Sequence, residues 1–273
     1  PAVWSLFLGN LCASMGNAFY FPMLTLFLRE QLQVSMSWIG TLFLVGGLLG
    51  AVGAWLGGEG CDRLGRKPVM ILGLGGRAVF AFVLALLAWR NGHPYLVAAA
   101  YLSGSFVGHA FHPACEAMLA DIVAENQRVQ AYGLLRIARN VGWAVGPMLG
   151  GLLALVAYAL LFAVTAAAMA LAVLVVAWLT REPVPAHAVP RFRWSDLGAV
   201  FHDRFFVAYG TSCLLLFCLM SQLVSTLSDF GAEHLGFSKL AMGAVYAVNG
   251  SVVVLFQYPV SRWVAAGRLS SAL

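Results

Sequence analysis

Charge is what this sequence has least of. Asp and Glu together number 11 in 273 residues, Lys and Arg 16, and all charged residues only 10%, against about 25% in soluble domains. With 61% hydrophobic residues, that scarcity excludes a water-soluble globule and leaves an integral membrane protein, its partner the lipid bilayer. The net charge of +5 gathers into no continuous basic face, so nucleic-acid binding is excluded. Lysine is nearly absent beside arginine, and no function follows from that bias. Cysteine is also sparse. The five, at positions 12, 61, 115, 213 and 218, form no C-x-x-C pair, and four lie inside apolar runs. Neither a disulfide framework nor a zinc site is indicated, and they read as small packing residues. No cleavable signal pattern is present, and Pro1 stands almost inside the first apolar run, so an initiating tail is expected to have been lost.

What the chain has is long apolar windows, near 3–28, 37–58, 69–89, 95–120, 130–155, 156–180, 206–228 and 238–263, each long enough to span a bilayer as a helix. The fifth and sixth are almost continuous; a break near Ala157 and Tyr158 divides them, since one crossing needs only about 20 residues. Between even and odd spans lie Arg63, Arg66, Lys67, Arg128, Arg181, Arg191, Arg193, Arg204, Arg262 and Arg268, and on the opposite side only Arg29, Arg90 and Lys239. This excess predicts a cytoplasmic amino terminus. Residues 181–205, with Pro183, Pro185, Pro190 and four arginines, read as a cytoplasmic linker. They separate a six-helix bundle over 1–180 from two further helices over 206–273.

The densest charges lie between spans two and three, in Gly58-Glu-Gly-Cys-Asp62-Arg63-Leu-Gly65-Arg66-Lys67-Pro68. Such a segment is expected as a tight aqueous turn, its glycines permitting the reversal, Asp62 capping a neighbouring helix, and Arg66 pairing with a carboxylate such as Asp121. A phosphate-cradling loop is not supported, because Gly65 is followed by Arg-Lys-Pro and not by Gly-Lys-Ser/Thr. On the fifth span, Gly133-x8-Gly142-x3-Gly146-Pro147-x2-Gly150-Gly151 places glycines every four residues on one ridge, where another helix can approach closely. Pro147 releases the carbonyl of Trp143 and is expected to bend the axis.

Both patterns resemble signatures of the major facilitator superfamily. Gly58, Asp62, Arg63, Gly65, Arg66 and Lys67 match its loop motif G-x-L-x-D-R-x-G-R-K, with Gly60 in place of Leu, and span five fills its antiporter motif. Gly16-x5-Pro22 and Gln257-Tyr-Pro-Val-Ser-Arg262-Trp resemble segments of its bacterial drug:proton antiporters. The resemblance implies an all-α fold of twelve spans in two bundles, of which eight are present, and a cavity between the bundles near the bilayer midplane. It also implies a cytoplasmic latch at the loop motif, and a span-five seam at the interface of the two halves that goes with proton exchange. One departure stands out: where many antiporters carry an arginine on span four, this chain has Gly104.

Within the spans, Ser105, His109, His112 and Glu116 follow at i, i+4, i+7 and i+11, about 60° apart or less on one helical face. Arg136 and Arg139 on the next span lie at similar depth. Glu116, tuned by either arginine with both histidines nearby, is the candidate proton carrier; the competing reading is a static ion-pair network. Asn10, Asn17, Tyr20, Trp143, Gln222, Ser225 and Asn249 suit a cavity for a large, amphiphilic or weakly cationic substrate. Arg77, mid-span, has no evident partner. The other four histidines lie in loops, which excludes a two-histidine haem site; no cofactor and no metal are expected. The sequence therefore predicts a non-enzymatic, monomeric secondary transporter in a bacterial inner membrane, exporting drug-like compounds against protons. A uniporter or symporter for a nutrient, metabolite or lipid is the alternative.

Overall fold

A computed structural model of the chain describes residues 2–182, 198, 202–224 and 226–266. Among these, all regular structure is helical: α1 (Ala2–Leu26), prolonged by a π-helical turn (Phe27–Gln31), α2 (Met36–Leu64), α3 (Arg66–Trp89), α4 (Pro94–Gly108), α5 (Phe111–Ile122), α6 (Arg128–Val156), α7 (Tyr158–Leu179), α8 (Arg204–Val224), α9 (Thr226–Glu233) and α10 (Lys239–Ala266). Helices are what a lipid solvent requires, because each backbone N–H and C=O must find its partner within the segment. Five helical segments, 3–31, 36–64, 66–89, 158–179 and 240–257, are long and apolar enough by length and composition to cross a membrane.

Local chemistry sets the breaks. Ala157, extended at φ −166° and ψ 139°, divides α6 from α7, where the sequence placed its boundary. The expected turn at 58–68 is far shorter. Helix α2 runs through Arg63 to Leu64, α3 starts at Arg66, and Gly65 alone makes the reversal. A helix satisfies its own backbone, so charged residues can prolong it past the apolar stretch. Span four is two helices where one was expected, broken at His109 and Ala110. Pro113 cannot donate to the carbonyl of His109 four residues back, and its ring crowds that carbonyl. Helix α6, by contrast, stays continuous through its buried Pro147.

The described residues group into two compact units, one within Pro1–Pro185 and Lys239–Leu273, the other within Ala186–Ser238. In the first, α1 packs on α6 and α7, α3 on α7 and α4, and α2 on α4. Near the basic α2–α3 turn its core is Met70, Leu74, Phe111, Met118, Leu135 and Val176. Toward the opposite end it is Phe27, Leu28, Ile39, Leu84, Val97 and Phe162. Leu44, Leu48 and Trp55 on α2, Phe82 on α3, and Leu174 and Trp178 on α7 point outward, exposed, as a lipid-facing surface demands. In the second unit Asp203 caps α8, its Oδ1 accepting from the N–H groups of Phe205 at 2.9 Å and Phe206 at 3.2 Å.

The glycine ridge of α6 seats α1. A Cβ on Gly142 would lie 2.7 Å from Ser14 Cβ, and one on Gly146 2.5 Å from Ala18 Cβ. The glycine ridge thus faces α1, while α6 also packs along α10, across the division between halves that the resemblance implies. A different face of α6, at Ala144, receives Gly250 of α10. Gly151 is buried on α6 as well.

Candidate functional site

Midway along the first unit, α1, α3, α4, α5 and α6 line an open cavity of about 250 Å³. Helix α1 contributes Asn17, Tyr20 and Phe21, α3 contributes Arg77, and α6 contributes Trp143. Tyr101, Gly104 and Ser105 come from α4, His109 from the break, and His112 from the first turn of α5. The break brings these side chains together. Ser105 Oγ donates to the Gly46 carbonyl of α2 at 2.8 Å, and His109 Nδ1 lies 2.7 Å from the Ser105 carbonyl. A carbonyl only accepts, so His109 Nδ1 carries a proton, and in the neutral ring Nε2 is the acceptor. His112 Nδ1 is buried with no hydrogen-bond partner among the described residues. Of the lining rings, Phe21 meets Trp143 edge-on at 6.4 Å, and it also stacks on Phe43 of α2 with centroids 5.4 Å apart.

Three of the cavity residues expected from sequence, Asn17, Tyr20 and Trp143, line this space. Asn10 does not: it is 1% exposed in the packed interior and accepts from Ser14 Oγ. Asn249 stands exposed on α10, away from the lining. Ser225 and the side chain of Gln222 lie outside the described residues. Glu116 is not in the wall. It pairs with Arg139 Nη1 at 2.9 Å, both side chains partly exposed, while Arg136 is exposed and makes no ion pair among the described residues. With span four broken, the expected single face becomes two: the histidines turn to the cavity and Glu116 turns to α6. Among the described residues no group of three or more His, Cys, Asp or Glu could hold a metal.

At the basic end, Arg66 Nε donates to Asp121 Oδ2 at 2.9 Å, and its guanidinium also reaches the Cys61 carbonyl at 3.0 Å. Arg63 pairs with Glu59 on its own helix at 2.7 Å. Asp62 lies 3.8 Å from Arg66 and caps no helix among the described residues. The cap on α3 comes from Glu182, whose two carboxylate oxygens accept from the backbone N–H groups of Arg66 at 2.6 Å and Lys67 at 2.7 Å. Lys67 Nζ in turn donates to the Ala177 carbonyl at 2.7 Å. A charge at each helix end is the expected complement to its dipole. Gly58 has open space around it, whereas Gly65 is held at φ +95°. The roles of Glu182, Tyr101 and Arg77 were missed in the sequence. Arg77 alone carried a signal there, its mid-span position.

A family model, the Major Facilitator Superfamily, matches residues 6–271. Among curated proteins, a Na(+), Li(+), K(+)/H(+) antiporter of Planococcus maritimus is 24% identical, over 91% of this chain and 66% of its own length. Multidrug resistance protein MdtH of Proteus mirabilis is 27% identical, over 94% and 63%. The chain thus spans just under two thirds of the length of these relatives. Among solved structures, the human organic anion transporter MFSD10 (TETRAN) superposes with a TM-score of 0.70 at 22% identity, covering 96% of this chain and 72% of that one. That likeness shows a shared fold.

Proposed function

The chain belongs to the Major Facilitator Superfamily, whose members carry small molecules across membranes, and from that premise we propose that this protein is a proton-coupled exporter of small amphiphilic compounds, working by alternating access. In this reading its amino terminus is cytoplasmic, in a bacterial inner membrane. Residues 1–180 form one bundle, 181–205 a linker, and 206–273 the start of the second bundle.

The observation that carries the reading is the cavity itself. A polar and aromatic space lies within the bundle at the break in span four, and one turn beyond it stands the Glu116–Arg139 pair at 2.9 Å. Protonating Glu116 neutralises it, removes the attraction and frees Arg139, so α5 and α6 have two electrostatic states. A two-state element of this kind is what coupling requires. The Arg66–Asp121 pair and the Glu182 cap hold the basic end in one of the two access states.

The test is flux in proteoliposomes containing the transporter at its full natural length, with an imposed proton gradient and a panel of aromatic acids, amines and neutral compounds. Proton-driven flux of some of these is expected. Glu116→Gln should lower it roughly tenfold or more, within the 5–150-fold range of coupled equilibria. If Glu116→Gln keeps both the flux and its pH profile, Glu116 is no carrier. If no gradient drives any flux, proton coupling is wrong.

A further inference from the structure

Among the described residues, the cavity wall holds a permanent cation and no carboxylate. Arg77 enters it from the middle of α3, and no acidic side chain stands among the lining residues. The stem of Arg77 passes over Gly108, where a Cβ would collide with it. Gly104 stands in the same wall, packed against Phe80 of α3. A guanidinium does not lose its proton in a protein, and at membrane depth an uncompensated charge is expensive. Glu116 is already committed to Arg139. Around Arg77 stand polar groups of the right size and sign to assist an anion: Tyr20, Tyr101 and the buried, unpartnered Nδ1 of His112. Phe21 and Trp143 also line the space and offer apolar ring surface to a flat body.

Resting on the transport reading above, we propose that this site takes amphiphilic organic anions. The carboxylate or sulfonate head pairs with Arg77, and the aromatic or aliphatic body lies on Phe21 and Trp143. The planar fork of the guanidinium accommodates such a head with two parallel hydrogen bonds, and binding supplies the charge that the wall lacks. The weakly cationic substrate suggested by a mostly neutral inventory of polar residues is disfavoured, because it would meet an unshielded like charge.

Two probes with one naphthalene body separate the signs: tritiated 2-naphthoate and tritiated 2-(aminomethyl)naphthalene, measured by equilibrium dialysis on the detergent-solubilised transporter at its full natural length. The acid should bind at least about tenfold tighter than the amine, the least expected for a charge-assisted pair. Arg77→Gln should erase that preference by weakening the acid alone, and Arg77→Lys should restore part of it. Tighter binding of the amine, no binding of the acid at millimolar concentration, or an acid affinity in Arg77→Gln within twofold of the unaltered protein overturns the proposal. The comparison of the two probes on the unaltered protein needs no variant, so a folding defect in Arg77→Gln leaves the test intact. Proton-driven flux of the amine but not the acid in proteoliposomes sinks this inference and leaves the transport reading standing. Acid binding without proton-driven flux does the reverse.

Discussion

Gly58 and Gly65 both belong to the loop signature and do different physical work. Gly58 has nothing within 4 Å of a built Cβ, while Gly65 sits at φ +95° and ψ 165° with a Cβ position 2.7 Å from Glu182 Oε1. That backbone region is open in practice to glycine alone. Gly65→Ala should therefore cost about 1–3 kcal/mol in backbone strain, besides displacing the Glu182 carboxylate from the α3 terminus. Thermal unfolding in detergent should show a lower apparent Tm for Gly65→Ala and none for Gly58→Ala; equal values would refute the distinction. At this scale the sequence was informative about pairs and weak about caps. Arg66 and Asp121 could be matched because opposite charges at one membrane face have few other partners. Glu182 stands more than a hundred residues from the backbone N–H groups it accepts from, and no spacing rule connects a carboxylate with a distant helix terminus. Asp62, nearby in sequence, was the wrong choice for that reason.

Among the elements, α6 makes a demanding fit. Its Gly142, Gly146 and Gly150 leave no room for a side chain against Ser14, Ala18 and Phe19 of α1. Without a hydrophobic force between helices in lipid, such close backbone approach is a main source of association. Gly146→Leu should push α1 from α6 and destabilise by about 1–3 kcal/mol, as overpacking does. Gly47→Ala on α2, where a Cβ meets nothing within 4 Å, is the neutral control. A Gly146→Leu protein with unchanged thermal unfolding would show that the seam is loose. The helices themselves were legible because apolar windows of bilayer length leave little choice. Two details escaped. Hydropathy does not register a helix that continues past its apolar stretch, as α2 and α3 do around Gly65. Nor does it register a break inside an apolar run: Pro113 was in plain view, but whether proline kinks a helix or ends it depends on neighbours, and α6 carries Pro147 without interruption. The break decides the site. Because α5 starts anew at Phe111, His109 and His112 face the cavity with Arg77, while Glu116 turns to Arg139.

For the whole molecule the consequential contact is Glu182, the last described residue before the segment that leads from α7 toward α8. Its two hydrogen bonds to the start of α3, together with the bond from Lys67 Nζ to the Ala177 carbonyl, tie the root of that segment to the one-residue turn at Gly65. A cycle of alternating access that moves the segment relative to this turn has to break those bonds, whereas the cavity wall at Arg77 and Trp143 lies elsewhere in the unit. Loss of the tie should therefore act on the rate of the conformational step and leave ligand recognition alone. Glu182→Ala removes the cap at a stability cost of about 0.5–2 kcal/mol, the usual range for a lost helix cap. In proteoliposomes it should change turnover several-fold, an order set by coupling energies of about 1–3 kcal/mol, while KM for transported compounds and the dialysis affinity for 2-naphthoate stay within about twofold. A Glu182→Ala protein whose affinity falls while its turnover holds would place the residue in recognition. One with neither changed would make the tie a static cap on α3, irrelevant to the cycle. Because the prediction separates rate from affinity, it tests the division of labour between the basic end of the bundle and its cavity, a division on which any alternating-access account of this chain depends.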